Sequence, residues 1–356
     1  MPISTKNPPD GCTYLPLISV TDLRSTNRAD FMQTANAIGA AARTSGFFRI
    51  CDHGIDGDLI EATYQTARRF FGLSAKLKGR YYIGDSPNHR GYVPFTEKGD
   101  YPDEVNRSYE AFDLGLDLPH DDPDFLAGNR ILGPNVWPAQ AGFRQIVAQY
   151  YSQISTLGRL ICSALEAHLA LPSGAMTDQM SKPISQLRLL HYVRQATTTV
   201  NRSVNMGAHT DYECLTLLHT RNEGLQVMTI DYQWVDVPVD PNVFIVNIGD
   251  MLEAWSNGVF RSTPHRVLNL SPERYSLPYF VATNHDTLIK PFPQLVRNGE
   301  KAKYKPFLAG EHLERMLVRD FPYFRNKARL GRDGHPDAAA APVHNPFERR
   351  IKQSVS

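Results

Sequence analysis

The sequence predicts an α+β fold, with helices through the first half and an antiparallel sandwich or barrel beyond residue 185. Three observations carry that prediction. Apolar residues recur at helical spacing in the N-terminal segments. The longest such stripe lies between Pro138 and Leu171. From Ser185 to Thr283 the texture changes to short apolar runs separated by turn residues at regular intervals.

Taken in order, Leu15–Val20 is a short strand, and residues 29–44 carry Phe31, Ala35, Ile38 and Ala42 at helical spacing, stopped by Gly46. Phe47–Cys51 alternates as a strand, and Leu59, Ile60, Thr63, Ala67, Phe70 and Phe71 form the apolar face of a second helix. A polar, Gly- and Tyr-rich connection covers Gly79 to Val105. Glu110–Leu114 is a strand, followed by a Pro/Asp loop at Pro119–Asp124. Pro138 suits the first turn of the long helix, where its missing N–H is not needed, and Pro172-Ser-Gly174 ends it.

The strand-rich part comprises Leu187–Val193, Met206–Asp211, Leu215–His219, Leu225–Ile230, Trp234–Val237, Val243–Ile248, Arg266–Leu270 and Tyr279–Thr283. A last helix is expected over 311–322, and the Ala/Pro-rich charged tail 331–356 is expected to be disordered. The connection between the helical part (1–184) and the strand-rich core (185–285) is too short and apolar-flanked for a linker, so residues 1–330 read as a single domain.

Composition excludes several classes. With 42% hydrophobic and 21% charged residues the chain reads as an ordinary globular protein, and its net charge of +1 provides no field to draw in nucleic acid or an anionic membrane. The N-terminus lacks the apolar core of a signal peptide, and no apolar run approaches the roughly 20 residues of a membrane span. Cys12, Cys51, Cys162 and Cys214 are scattered, as reduced thiols of a cytoplasmic protein are. The expected partner is a small-molecule substrate, with neither nucleic acid nor membrane.

The chemistry concentrates in Gly207–Ser276. His209, Asp211 and His265 form a His-x-Asp…His set, and two imidazoles with one carboxylate are the ligands of a facial triad that holds iron(II) with positions left open. Residues at i and i+2 of a strand face the same side, so one metal takes both His209 and Asp211. Arg274 and Ser276 follow His265 as Arg-x-Ser. Each short motif occurs twice: His120-Asp-Asp122 repeats His-x-Asp in a Pro/Asp loop, and Arg43-Thr-Ser45 repeats Arg-x-Ser near a helix end. The order of all five residues along a strand-rich run is what separates the later set.

That ordered set, with Asp52-His-Gly-Ile55, Glu110-Ala-Phe-Asp-Leu-Gly115, Gly224-Leu-Gln-Val227, Asn247-Ile-Gly-Asp250 and Ser256-Asn-Gly258, resembles the isopenicillin-N-synthase-like branch of iron(II)/2-oxoglutarate-dependent dioxygenases. The resemblance implies a double-stranded β-helix (jelly-roll) core flanked by helices. It implies His209, Asp211 and His265 as iron ligands, Arg274 and Ser276 on the distal carboxylate of 2-oxoglutarate, and Tyr192 reaching the same co-substrate. The asparagine that precedes this tyrosine in the family is Leu190 here. The implied reaction consumes O₂, converts 2-oxoglutarate to succinate and CO₂, and oxidises a substrate C–H bond by hydroxylation, desaturation or ring closure.

Arg188 and Phe280 are candidate substrate contacts, and Tyr101, Arg107, Tyr109 and Phe112 fall where similar proteins cover the site mouth. Asn247-Ile-Gly-Asp250 reads as a turn that needs glycine's freedom. Two other readings stand beside the first: an iron oxidase of the same fold without 2-oxoglutarate, and a non-catalytic metal- or ligand-binding β-barrel.

Overall fold

The computed structural model describes residues 14–97, 108–193 and 204–329, together with Asn345 and Phe347. The first half runs β1 (Leu17–Ser19), α1 (Arg28–Thr44), β2 (Phe47–Cys51), α2 (Gly57–Phe71), α3 (Ala75–Lys78), β3 (Gly91–Val93), β4 (Tyr109–Gly115), α4 (Pro123–Leu126) and α5 (Phe143–His168). The second half continues with β5 (Gln186–Val193), β6 (Val204–His209), β7 (Leu215–Thr220), β8 (Leu225–Met228), β9 (Trp234–Asp236) and β10 (Phe244–Ile248). It closes with α6 (Asp250–Trp255), β11 (His265–Leu268), β12 (Glu273–Val281), β13 (Leu288–Ile289), β14 (Phe307–Leu308), α7 (Ala309–Asp320) and α8 (Pro322–Arg329).

Two sheets form the core: an eight-stranded one in the order β1-β2-β10-β7-β12-β5-β4-β3, and a four-stranded one in the order β6-β11-β8-β9. This is the jelly-roll, with a cavity between the sheets and the long helices on the outer face of the larger one. Period-two alternation decides which residues go where. On β12, Leu277, Tyr279 and Val281 are buried on the helix side, whereas Arg274, Ser276, Pro278 and Phe280 line the cavity. On β5 the cavity takes Gln186, Arg188, Leu190 and Tyr192.

The helix side is sealed by α5, whose Phe143, Val147, Tyr150, Ile154, Leu157, Ile161 and Leu165 are buried at helical spacing. Gly158 lets this helix approach β12, because a Cβ there would meet Val281 Cγ2 at 2.6 Å. The buried Glu110 carboxylate is fully engaged. Glu110 accepts from Lys78 Nζ at 2.6 Å and Tyr92 Oη at 2.5 Å, and lies 2.9 Å from His191 Nδ1.

Several expectations shift. The long helix starts at Phe143 rather than Pro138, because Gly142 holds a left-handed φ of 76° just before it. The single helix expected over 311–322 is two, broken between Asp320 and Pro322. The strand expected at Tyr279–Thr283 spans Glu273–Val281 instead. Phe112 is not at the mouth of the site: it packs in the core, 4.9 Å from Phe70 and 5.3 Å from Phe143 between ring centroids. Tyr101 and Arg107 lie outside the described residues, as does nearly all of the 331–356 tail. Within that tail Asn345 is fully buried and Phe347 stacks on Tyr304, which corrects the expectation of disorder at those two positions.

Asn247–Asp250 is also more than a turn, since Asp250 begins a six-residue helix. Gly249 has an ordinary φ of −104°, and what requires glycine there is proximity. A Cβ would lie 2.2 Å from the Glu213 carbonyl oxygen and 3.1 Å from that of Asp211. Gly249→Ala is therefore expected to destabilise the protein by about 1–3 kcal/mol through overpacking against backbone, read as a lower urea midpoint with unchanged slope.

Candidate active site

His209 ends β6 and His265 begins β11, and the two are directly paired across the antiparallel ladder. Asp211 follows on the turn between β6 and β7. Asp211 Oδ1 stands 3.7 Å from His209 Nε2 and 3.6 Å from His265 Nε2. One donor atom from each residue lies within 4.8 Å of the other two, and among the described residues this is the only such cluster of three His, Cys, Asp or Glu side chains.

The tautomers follow from the hydrogen bonds. His209 Nδ1 lies 2.8 Å from the Gly207 carbonyl oxygen, and a carbonyl only accepts, so Nδ1 carries the proton and Nε2 keeps its lone pair. His265 Nδ1 makes a longer contact of 3.4 Å to the Thr263 carbonyl, with the same consequence. Burial, reinforced by neighbouring His209, lowers His265 to about 4, so its ring is neutral at pH 7, as a metal ligand must be.

Asp211 is buried, and its second oxygen is held from behind. Asn247 Nδ2 donates to Oδ2 at 2.7 Å, and the Thr216 hydroxyl donates to the same atom. Burial alone would raise this carboxyl, but His265, His209 and the two hydrogen bonds outweigh it and hold it below the ordinary value. Oδ1 is left facing the imidazoles. Thr216 was not singled out in the sequence, and Asn247 was read only as the start of a turn, although each is a polar residue inside an apolar strand (Leu215–Thr220 and Phe244–Ile248).

Arg274 and Ser276 stand on the cavity face of β12, both buried. Arg274 Nη1 donates to Ser276 Oγ at 3.2 Å, while Arg274 Nε is buried with no hydrogen-bond partner. The Tyr192 ring lies under the guanidinium, 4.7 Å from centroid to Cζ, so Tyr192 meets Arg274 through its face. Leu190 lies opposite Ser276 in the ladder and lines the cavity.

One cavity takes in the triad, Arg274 and Ser276 together. Arg188 and Phe280 line it, as does Tyr109. The Arg188 fork is already engaged by Asp113, with Nε to Oδ1 and Nη2 to Oδ2 both at 2.7 Å. Glu213 faces the same space, its carboxyl pushed up to about 8 by burial and then by Asp211. The outer wall is Leu313, Leu317 and Asp320 of α7 with Phe321, a contribution no sequence motif announced.

The second copy of His-x-Asp behaves as its loop context predicts. His120 is exposed, and Asp122 caps α4 by accepting from Asp124 N at 3.0 Å and Phe125 N at 3.4 Å. His191, His219 and His285 are structural: each pairs with protein groups away from the triad.

Comparison with known proteins agrees with this geometry. Residues 184–283 match the pattern of the 2OG-Fe(II) oxygenase superfamily, and residues 15–140 match that of the non-haem dioxygenase in morphine synthesis N-terminal region. The clavatol oxidase of Penicillium crustosum is 32% identical over 300 residues, covering 78% of this chain and 88% of the relative. The chain belongs to the 2OG-Fe(II) oxygenase superfamily.

Other members of the superfamily are similar over comparable lengths. The 2-oxoglutarate-dependent dioxygenase citB of Monascus ruber is 31% identical over 85% of this chain and 93% of its own. The crystal structure of a full-length Neurospora crassa protein in complex with alpha-KG and thymine superposes with a TM-score of 0.75 at 28% identity, covering 85% of this chain and 96% of that one. As a 2-oxoglutarate-dependent dioxygenase, the enzyme uses iron(II), 2-oxoglutarate and O₂ to oxidise a C–H bond of a small-molecule metabolite. The reading without 2-oxoglutarate and the non-catalytic reading are not favoured.

Proposed function

We propose that His209, Asp211 and His265 hold the iron, and that Arg274, Ser276 and Tyr192 receive 2-oxoglutarate. The observation that carries this is the pairing of a metal-ready triad with a buried arginine whose Nε has no protein partner, in one cavity. When bound, the metal and its co-substrate supply the oxidising power for the C–H bond. The chain's own contribution is positional. Thr216 and Asn247 fix which Asp211 oxygen faces the metal, and Gly207 and Thr263 fix the imidazole tautomers.

Arg274 neutralises and orients the distal carboxylate of 2-oxoglutarate, Ser276 adds a hydroxyl donor, and the Tyr192 ring holds the guanidinium flat. Leu190, Leu218, Leu225 and Val267 make that end of the cavity apolar and exclude water from the reacting atoms. Phe280 and Phe321 serve as substrate walls. Arg188, held rigidly by Asp113, serves as an oriented cation at the substrate end. The enzyme works in the cytoplasm, a placement supported by its unpaired thiols at Cys51, Cys162 and Cys214. Among the described residues no helix is long and apolar enough to cross a membrane.

Anaerobic addition of iron(II) and 2-oxoglutarate should give a visible charge-transfer band, and turnover should release succinate in step with oxidised product. Turnover that persists without 2-oxoglutarate would remove this reading. Asn247→Ala leaves Asp211 Oδ2 with one donor and is expected to weaken metal binding about 10- to 100-fold, measured by metal titration at fixed pH.

A further inference from the structure

We propose that Asn345, far along the C-terminal chain, is a positioning residue for the loop that carries two of the three metal ligands. The proposal rests on the ligand assignment above and adds to it a residue outside every family motif. Asp250 is completely buried and is the hub of the contact. Its Oδ1 accepts from Ser262 Oγ at 2.6 Å, and its Oδ2 accepts from Thr210 Oγ1 at 3.2 Å and from Asn345 Nδ2 at 2.7 Å. Asn345 Nδ2 also lies 3.2 Å from Thr210 Oγ1. Thr210 is the residue between His209 and Asp211, and Ser262 precedes His265 by three positions. The Asp250 backbone N–H donates to the Asp211 carbonyl at 2.8 Å. One buried carboxylate thus ties both ligand-bearing segments together, and the C-terminal chain supplies its third donor.

The orientation of the Asn345 amide is fixed by its own surroundings. Asn345 Oδ1 accepts from the Phe347 backbone N–H at 3.0 Å, so the other end of the amide, the NH₂, is the group that meets Asp250. Phe347 in turn stacks on Tyr304, with ring centroids 5.6 Å apart and planes 7° apart. Tyr304 Oη donates to Glu253 Oε1 at 2.6 Å, and Glu253 Oε2 accepts from Ser262 N at 2.6 Å. The two described C-terminal residues therefore reach the Ser262 segment by two routes. A buried carboxylate that loses a donor must recruit another or shift. The other donor to the same oxygen, Oδ2, is Thr210, between the ligands.

The test uses manganese(II) as the probe on the full chain, with the unfolding temperature of the metal-free protein followed in parallel. Asn345→Leu, which keeps the volume and removes the donor, is expected to weaken manganese binding about 10- to 100-fold. Asn345→Asp, which sets a carboxylate against Asp250, should weaken it at least as much. Thr210→Val should bring its own loss, and adding Asn345→Leu to it should cost less than about threefold more, since both act through the same contact. A purely structural role predicts something else: a lower metal-free unfolding temperature with manganese affinity unchanged, or fully additive losses. Either result overturns the proposal. A wild-type protein that takes up no manganese would overturn the ligand assignment and this inference with it. Binding that Asp211→Ala abolishes but Asn345→Leu spares overturns the inference alone.

Discussion

Asp211→Ala is expected to abolish metal retention and, with it, decarboxylation of 2-oxoglutarate. Loss of an outer hydrogen-bond partner of a ligand typically costs 10- to 100-fold in affinity, so loss of the ligand itself should exceed about 100-fold. The substitution removes the only carboxylate among the described triad and strands the Thr216 hydroxyl and the Asn247 amide, both of which point at Asp211 Oδ2. The matched control is Asp122→Ala in the other His-x-Asp copy. There the carboxylate caps α4 and pairs with Lys182 Nζ at 2.8 Å. Its removal should cost about 0.5–2 kcal/mol of stability and leave metal binding untouched. Metal titration of the two variants side by side checks the assignment. Equal metal affinity in both would refute it.

The difference between those two carboxylates was legible in the sequence only through context. His-x-Asp at 120 lies among prolines and aspartates, whereas at 209 it ends a strand in a strand-rich run. Period-two alternation, applied to His209 and Asp211, reached the right pair by an incomplete route: β6 ends at His209, and Asp211 joins it from the turn that follows. What escaped was set by tertiary packing. Thr216 looks like a stray polar residue and Asn247 like the start of a turn until β7 and β10 pair and both side chains arrive at Asp211. β12 was cut short at its start because Pro278 has no N–H and normally marks an edge or a break, yet it lies inside a central strand here. The helix at Asp250–Trp255 is too short to show a helical period, and its buried acids, Asp250 and Glu253, look like a solvated turn. The α7 wall and Asn345 come from chain far from the motifs, and nothing local announces where such segments dock. Leu190 is the reverse case: the sequence flagged it as a departure, and the structure finds it lining the cavity opposite Ser276.

Arg274→Ala is expected to raise the KM for 2-oxoglutarate by roughly 30-fold to several thousand-fold, the range that follows from about 2–5 kcal/mol for truncating one partner of a buried, hydrogen-bonded charge pair. The physical case is the charge balance of the site without its co-substrate. Among the described residues no carboxylate pairs with Arg274, which is only 3% exposed, and its Nε has no hydrogen-bond partner. Ser276 and the Tyr192 ring compensate only in part. Such a cation is a cost to the empty fold that the distal carboxylate of 2-oxoglutarate offsets on binding. A second consequence follows with the opposite sign. Without 2-oxoglutarate, Arg274→Met should unfold at the same temperature as the wild type or higher, because it removes an incompletely compensated buried charge while keeping much of the volume. With 2-oxoglutarate in excess the wild type should gain stability by mass action and the variant should not. Arg274→Lys keeps the charge but loses the planar fork, so its KM should fall between the two. Thermal unfolding with and without 2-oxoglutarate, beside succinate-release kinetics, measures both signs at once. A co-substrate-free Arg274→Met protein that is markedly less stable than wild type would show that the guanidinium is a structural pair, and the assignment of its partner would fall.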